Sequence, residues 1–273
     1  MTIQPLSPAT KMQQIPVVSI GRLPIAVMDR VASAEFMLSA ALSARGSKRP
    51  PLVITSANGQ VLSMCARSKE VRDQFLAADL IHADGMPLVF ASRLRGSMPL
   101  PQRVATTDLF HDIARLAERQ GARFFFLGAS DAIVEKTVRA VKQSYPKLAI
   151  AGFRSGYFGP DDEEDVIAEI NAADADILWI GMGAPRELIV SLRWRSRLNV
   201  GLIKTSGGLF DFLAGKNSRA PHWMQAAGLE WAYRLALEPG RLFWRYATTN
   251  VHAAFLLLSA PIAPCQRRQM DDA

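Results

Sequence analysis

The 273-residue chain is 49% apolar and carries a formal net charge of +7. This composition excludes an intrinsically disordered protein, and the length allows one large α/β domain, alone or with an appendage, that buries a substantial core. The positive charge is concentrated between residues 186 and 245, where ten Lys and Arg residues stand against four acidic ones. This bias favours a partner with phosphate groups, a nucleic acid or an anionic membrane surface.

The beginning of the chain and its cysteines give no sign of secretion. Residues 1–15 are polar, contain Pro5 and Pro8, and lack the basic and apolar segments of a secretory signal, so we predict a flexible arm. Two cysteines, Cys65 and Cys265, are too few and too far apart to predict a disulfide framework or a metal site. They favour a reducing compartment.

From residue 23 onward, short apolar runs alternate with amphipathic helical patterns. The predicted strands cover residues 23–28, 52–55, 80–83, 124–127, 148–153, 177–180 and 200–205. The predicted helices cover residues 31–44, 61–77, 87–94, 107–120, 132–144, 161–173 and 185–195. Continuous apolar strands separated by helices are typical of a mostly parallel sheet with helices on both faces. The sequence therefore predicts an α/β core over residues 16–215.

Three predicted strands end in small residues that let a ligand approach the backbone. They are followed by Gly128-Ala129-Ser130, Gly181-Met182-Gly183 and Ser206-Gly207-Gly208. Backbone amides at such turns bind phosphate or sugar groups, especially where a helix begins. The turns match neither a G-x-G-x-x-G fingerprint nor a P-loop. Together they predict a site for a nucleotide-bearing ligand, with Gly128, Gly183 and Gly207 as candidate contacts.

Polar side chains follow two other strands. Asp84 comes directly after the strand 80–83, and Ser56 and Asn58 follow the strand 52–55. In an open α/β sheet, ligands bind beyond the carboxyl ends of the strands, which makes Asp84 the candidate centre of the chemistry. The alternative is that Asp84-Gly85 serves only as a turn, and that Ser56 and Asn58 only cap a helix. The local sequence leaves both interpretations open.

The sequence predicts no metal site and no cofactor. Asp174-Ala175-Asp176 looks like a metal-binding D-x-D pair, but it precedes the strand 177–180 and so lies at the opposite, amino end of the sheet. The four histidines lack the spacing of metal ligands.

Residues 216–260 form a basic and aromatic segment that we predict to be a helical appendage, followed by a tail over residues 261–273. Glu238-Pro239-Gly240 is expected to divide it into two helices. Arg234, Arg241 and Arg245 are spaced to share a helical face, and a basic face beside aromatic residues is typical of a helix that lies on a membrane. The alternative is an ordinary core helix with solvated arginines. The apolar segment 251–263 is too short to span a bilayer.

The segments that follow the strand 200–205 resemble the WecG/TagA/CpsF family of bacterial glycosyltransferases (family 26), which includes an enzyme of xanthan assembly. The resemblance covers residues 20–246. Its most specific segments are Gly208-Leu209-Phe210-Asp211-Phe212-Leu213-Ala214-Gly215-Lys216, Arg219-Ala220-Pro221, Gly228-Leu229-Glu230-Trp231, Tyr233-Arg234-Leu235, Glu238-Pro239, Arg241-Leu242 and Arg245-Tyr246.

The resemblance implies a Rossmann-like core with a membrane-associating C-terminal appendage. It implies a peripheral enzyme at the cytoplasmic face of the bacterial inner membrane, in exopolysaccharide or surface-glycan assembly. The implied reaction is an inverting, metal-independent transfer of a hexose-type sugar from a UDP-sugar to a polyprenyl-diphosphate-linked saccharide. The expected partners are these two substrates and an anionic membrane surface. A nucleic acid is not expected, because the basic segment lacks a recognisable reading motif, and a homo-oligomer is possible.

By the same resemblance, individual residues acquire roles. Asp84 lies in the family's Asp-Gly motif as the general base, Asn58 lies near the sugar, and Arg103 contacts a phosphate group. Arg234 and Arg241, together with Arg245, belong to the appendage and face UDP and the lipid-linked diphosphate.

Three positions depart from the family pattern. Ser56 replaces the usual Thr of Thr-x-Asn, and Thr106 replaces the glycine of Gly-Thr-Asp-Leu. Glu187 replaces the amide of Pro-Lys-Gln-Glu and cannot donate the amide's hydrogen bonds. This last departure motivates UDP-glucose as the expected donor. The alternatives are transfer of N-acetylmannosamine or its uronate, or a non-catalytic module that binds nucleotides or lipid diphosphates.

Overall fold

The computed structural model describes residues 8–266. Within that range the strands are β1 Val17–Ile20, β2 Leu23–Ala26, β3 Leu52–Ala57, β4 Leu80–Ala83, β5 Arg123–Gly128, β6 Ala149–Arg154, β7 Ile177–Gly181, β8 Leu202–Thr205 and β9 Ala263–Cys265. The helices are α1 Pro8–Gln14, α2 Arg30–Ser43, α3 Gly59–Arg67, α4 Lys69–Leu76, α5 Met86–Arg95, α6 Thr106–Gln120, α7 Asp131–Ser144, α8 Glu163–Ala172, α9 Arg186–Trp194, α10 Leu209–Leu213, α11 His222–Ala226, α12 Glu230–Leu237 and α13 Pro239–Ser259.

The described strands form one sheet in the order β6-β5-β7-β8-β3-β4-β2-β1-β9. All neighbours from β6 to β2 are parallel, and the β2–β1 and β1–β9 pairs are antiparallel. This confirms the predicted α/β fold with a mostly parallel sheet. After β4 the chain crosses to the far side of β8 to form β5, so β8, β3 and β4 lie beside the point where the strand order changes. Ligands bind at such points in open α/β sheets.

The sheet is buried on both faces, as the uniformly apolar strands predict. Along β5, Phe124 and Phe126 point to one side and join a core cluster with Phe110 and Trp179, whose rings lie 5.0 Å apart. Phe125 and Leu127 point to the other side and join a second cluster. Alternation within a strand therefore divides the interior into two cores, one under each helical layer.

The structure differs from the sequence prediction in several elements. The predicted helix 61–77 is two helices, because the Ser68 hydroxyl accepts a hydrogen bond from the Val71 amide (3.2 Å) and caps a new helix, α4, there. The sequence prediction missed β1 and β9, which form the antiparallel edge. Within the predicted N-terminal arm, residues 8–14 form α1, and residues 1–7 lie outside the described part of the chain.

The C-terminal helices α11, α12 and α13 pack against the core beside the carboxyl ends of the strands. As predicted, the chain divides at Pro239, where α12 ends and α13 begins. The buried face of α13 includes Leu242, Ala253 and Leu257, and His252 Nδ1 lies 2.9 Å from Ser63 Oγ on α3. Among residues 8–266, no helix combines the length and the apolar character that crossing a bilayer requires.

Candidate active site

A cavity of about 1090 Å³ opens at the carboxyl ends of the central strands. Its sheet side includes Ser56 near the end of β3, Asp84 after β4 and Gly207 after β8. Its opposite side includes Trp231 and Arg245 from the C-terminal helices. The cavity is therefore enclosed jointly by the sheet edge and by the C-terminal helices.

Asp84 is partly buried and lines this cavity. Its amide donates to the Ala57 carbonyl (2.8 Å), which fixes the backbone directly after β4. Its Oδ2 atom accepts hydrogen bonds from the Thr106 amide (3.3 Å) and the Thr106 hydroxyl (3.0 Å). Burial raises the pKa of Asp84, and the nearby charges of Arg103 and Lys204 limit the increase. A raised pKa brings a carboxylate closer to the basicity that a general base needs near neutral pH.

A chain of partly buried hydrogen bonds connects Asp84 to Lys204. Lys204 Nζ donates to Ser56 Oγ (2.9 Å) and to the Thr205 carbonyl (2.8 Å). Ser56 Oγ lies 3.2 Å from Thr106 Oγ1, which donates to Asp84. The predicted site residues Ser56 and Asp84 are thus joined through Thr106, a residue that the sequence analysis noted only as a departure from the family pattern.

Lys204 is the functional candidate that the sequence analysis missed. Its side chain is 0% exposed in the middle of β8. Burial lowers the pKa of Lys204 to about 8, although the charges of Asp84 and Glu187 oppose this change. The sequence feature that could have identified Lys204 is its place as a single charged residue in the predicted strand that contains Leu202-Ile203-Lys204-Thr205. A charge is placed at such a position only where partners compensate its burial.

Glu187 lies near the N-terminus of α9 and joins two of the predicted glycine turns. Its carboxylate accepts hydrogen bonds from the amides of Met182 (3.2 Å), Gly183 (3.0 Å) and Gly207 (2.9 Å). Burial raises the pKa of Glu187 to about 7, although these hydrogen bonds and the charge of Lys204 oppose the increase. Glu187 lines the cavity, and its carboxylate oxygens accept hydrogen bonds from backbone amides.

Asn58 caps a helix, which is one of the two interpretations that the sequence left open, and it also lies at the cavity. Its Oδ1 accepts from the Val61 amide (3.2 Å) and caps α3, and the residue also lines the cavity. The side-chain amide group takes no part in the cap bond and so retains its two donors for a ligand. Ser130 occupies the N-cap position of α7, but its side chain makes no capping hydrogen bond there.

The three glycine turns lie at the carboxyl ends of β5, β7 and β8, as predicted. Gly183 and Gly207 line the cavity with positive φ angles of 79° and 55°, which favour glycine. Gly128 is placed differently, because it pairs with Gly181 in the sheet and a Cβ atom there would overlap the Gly181 carbonyl. Its neighbours Ala129 and Ser130 line the cavity instead.

Arginines of the C-terminal helices also line the cavity. The Arg234 guanidinium lies 5.4 Å from the centre of the Phe212 ring, and that of Arg245 lies 5.1 Å from the Tyr246 ring. The prediction that they share one helical face is wrong, since Arg234 is on α12 and Arg245 on α13, and the chain turns between them. The side chain of Arg241 lies outside the described residues.

Arg103 lines the cavity but is engaged by the C-terminal helices. It donates to Glu230 Oε2 (2.6 Å) and to Gln225 Oε1 (3.1 Å). Arg219 donates to Glu230 Oε1 (3.0 Å) and Asp108 Oδ1 (3.0 Å). We call Arg103, Asp108, Arg219, Gln225 and Glu230 the latch, because these residues connect the C-terminal helices to α6 and the loop before it.

The pair Asp174-Ala175-Asp176 lies at the amino end of β7, on the side of the sheet away from the cavity, as predicted. Asp176 accepts from Arg45 Nε (2.6 Å) and from the Arg123 amide (2.7 Å). Burial alone would raise the pKa of Asp176, but these partners outweigh it and the pKa is lowered. The pair therefore has a structural role. Within residues 8–266, no three His, Cys, Asp or Glu side chains come together as metal ligands would.

Fold and site together define an α/β protein with a cavity at its strand ends, which a partly buried carboxylate and arginines line. The chain belongs to the WecG/TagA/CpsF family of glycosyl transferases, whose model matches residues 18–266. This finding confirms the family predicted from the sequence motifs.

Two relatives, from Bacillus spizizenii and Bacillus subtilis, are each named N-acetylglucosaminyldiphosphoundecaprenol N-acetyl-β-D-mannosaminyltransferase. The B. spizizenii protein is 31% identical over 192 residues, which cover 70% of this chain and 73% of the relative. The B. subtilis protein is 30% identical over 189 residues, which cover 69% of this chain and 73% of the relative.

Proposed function

We propose that the protein transfers a hexose-type sugar from a UDP-sugar to a saccharide linked to polyprenyl diphosphate. The observation that supports this most is the Asp84 carboxylate in a cavity that arginines and glycine turns also line. Its Oδ2 atom is held by Thr106. Among the described residues no hydrogen bond to Oδ1 is found, and we assign that oxygen to the acceptor hydroxyl.

In the proposed reaction, Asp84 removes the proton from the acceptor hydroxyl as its oxygen attacks the anomeric carbon. A new carbon–oxygen bond forms on one face of the sugar while the bond to the UDP oxygen breaks on the opposite face, so the configuration inverts. UDP leaves with the bonding electrons, and Arg234 and Arg245 stabilise its negative charge. These cations take the role that a divalent ion has in other transferases. We therefore expect transfer to continue in the presence of a chelator.

Two donors are supported by two different observations. The names of the Bacillus relatives describe transfer of N-acetylmannosamine to N-acetylglucosaminyl-diphosphoundecaprenol. Glu187 replaces the amide typical of the family, and its carboxyl oxygens accept from backbone amides, so it lacks the NH2 donors that an amide offers to an N-acetyl carbonyl. This replacement supports UDP-glucose as the first candidate and UDP-N-acetylmannosamine as the second.

A donor panel tests the proposed function directly. The protein is incubated with UDP-glucose, UDP-N-acetylmannosamine or its uronate, together with short polyprenyl-diphosphate-linked acceptors, and release of UDP is followed. We expect acceptor-dependent UDP release with one donor at least tenfold faster than with the others, because loss of a paired polar contact discriminates strongly between sugars. UDP binding without product from any pair would instead identify a non-catalytic binding module.

We also propose that the protein binds the cytoplasmic face of the inner membrane through α13. Its outer face carries exposed apolar side chains at helical spacing: Trp244, Val251, Phe255 and Leu258, which are 64–75% exposed. The inner face of α13 is part of the core, with Leu242, Ala253 and Leu257 buried, and the exposed outer face is the part that we propose to contact the membrane. Large apolar residues on a basic segment are typical of helices that lie in the membrane interface.

The double variant Trp244→Glu/Phe255→Glu is expected to reduce binding to vesicles that contain anionic phospholipid by about tenfold or more. Each substitution removes an apolar side chain from the lipid boundary and adds a charge repelled by the lipid. Cosedimentation with vesicles measures the effect. Val31→Glu, which alters an exposed apolar residue on α2, is the matched control and should bind as the unmodified protein does. Equal binding by the double variant would remove α13 as the membrane contact.

A further inference from the structure

Lys204 has a position that the proposed reaction does not yet explain. Its ammonium group is fully buried at a strand position where an apolar side chain would pack at no electrostatic cost. Removal of a charge from water is expensive, so a fully buried lysine that donates to the cavity-lining Ser56 is a candidate for a functional role. Asp84 and Glu187 are the acidic groups that face it.

The hydrogen-bond chain has one direction, because it begins at the Lys204 ammonium group and ends at the Asp84 carboxylate. An ammonium group can only donate, so Ser56 Oγ accepts from Lys204 (2.9 Å) and directs its own proton to Thr106 Oγ1 (3.2 Å). A carboxylate can only accept, so Thr106 directs its proton to Asp84 Oδ2 (3.0 Å). Every hydroxyl proton between Lys204 and Asp84 therefore points towards Asp84.

We propose that Lys204, acting through Ser56 and Thr106, keeps the Asp84 carboxylate charged and holds it in one orientation. Lys204 is thus a positioning residue for the base. This inference rests on the proposed function of Asp84. Aligned donors in a chain of hydrogen bonds polarise one another, so the positive charge of Lys204 strengthens the bond that Thr106 donates to Asp84.

The other charged groups around Asp84 do not replace Lys204 in this role. Arg103, the other cation that acts on Asp84, is already paired with Glu230 at 2.6 Å. Glu187 faces Lys204 from α9, but its carboxylate accepts from three backbone amides. Lys204 is the cation joined to Asp84 by a continuous hydrogen-bond chain.

The test is the titration of Asp84 in the full-length variant Lys204→Met. Methionine has a similar length without a charge, and its burial is not costly, so the variant should fold. The Asp84 carboxyl carbon is followed by NMR in protein labelled with ¹³C-aspartate, and its signal is assigned by its loss in Asp84→Asn. We expect the titration midpoint of the Asp84 carboxyl to rise by about one pH unit or more, because the loss of a nearby positive charge shifts the pKa of a carboxyl by about this amount. The acid limb of kcat/KM should move to higher pH by the same amount, because the base must be deprotonated.

Two further variants make the test decisive. Lys142→Met removes an exposed lysine on α7 and should leave the midpoint unchanged. Ser56→Ala breaks the chain but retains the Lys204 charge, and the Asp84 midpoint should also rise there. An unchanged midpoint in either Lys204→Met or Ser56→Ala would overturn the proposal. The NMR result does not require sugar transfer, so a shifted midpoint in a protein that transfers no sugar would support the coupling and count only against the proposed function.

Discussion

Replacement of Asp84 by asparagine is expected to lower sugar transfer by about 10²–10⁴-fold, the typical contribution of a general base. The local structure should persist, because the Thr106 amide and hydroxyl can donate to the asparagine carbonyl as they do to Asp84 Oδ2. Asparagine cannot take up the acceptor proton. Initial rates of UDP release at saturating donor concentration measure the loss, and calorimetric titration with UDP should show an affinity within about threefold of the unmodified protein.

The comparison variant is Asp211→Asn. Asp211, on α10, also lines the cavity, but its carboxylate forms an ion pair with Lys216 at 3.1 Å. We expect a smaller loss of activity from this substitution. Full activity in Asp84→Asn would remove Asp84 as the base. A larger loss in Asp211→Asn would move the catalytic role to the second acid.

The position of Asp84 could be predicted from the sequence because the signal is local. An apolar run that ends in a carboxylate and a glycine identifies a strand end, and the carboxyl ends of parallel strands share one edge of the sheet. The same reasoning placed the turns at Gly183 and Gly207 beside it. The prediction that Gly128 faces the cavity is not met. The sequence does not distinguish a glycine that close strand packing requires from one that faces a ligand.

Residues that act through distant partners could not be predicted. Lys204 counted as one of ten basic residues, and only the fold shows that it is buried and joined to Ser56, 148 positions earlier. The latch combines Arg219 with Asp108, which are 111 positions apart. The edge strands β1 and β9 were missed because they pair with each other from opposite ends of the chain, with Val17 opposite Cys265, and a local pattern does not show such a pairing.

The second large effect is expected from the latch. The variant Arg219→Met removes the hydrogen bonds that Arg219 donates from the segment before α11. These go to Asp108 (3.0 Å) and Thr107 on α6, to Gln225 on α11 (2.5 Å) and to Glu230 on α12 (3.0 Å). Removal of one partner from this partly buried charge network leaves the others uncompensated and weakens the attachment of the C-terminal helices. Trp231 and Arg234 line the cavity from α12, so their displacement should reduce transfer. A misplacement of about 1 Å lowers catalysis by about 10²-fold.

Hydrogen exchange and activity measured together distinguish a loosened C-terminal region from global unfolding. In Arg219→Met we expect faster amide exchange in α11 and α12, with β5 and β7 still protected, because the parallel sheet retains both of its cores. Arg139→Met removes an arginine from an exposed α7 pair with Glu135 (3.5 Å), and it should change neither measurement, since such surface pairs contribute little.

If Arg219→Met kept full transfer while α11 and α12 exchanged freely, the C-terminal helices would not be part of the catalytic cavity. If exchange and transfer both stayed unchanged, the latch would not hold them in place. If Arg219→Met lost both the exchange protection of α11 and α12 and the transfer activity, while Arg139→Met lost neither, the latch would be the contact that keeps Arg234 within reach of the leaving UDP.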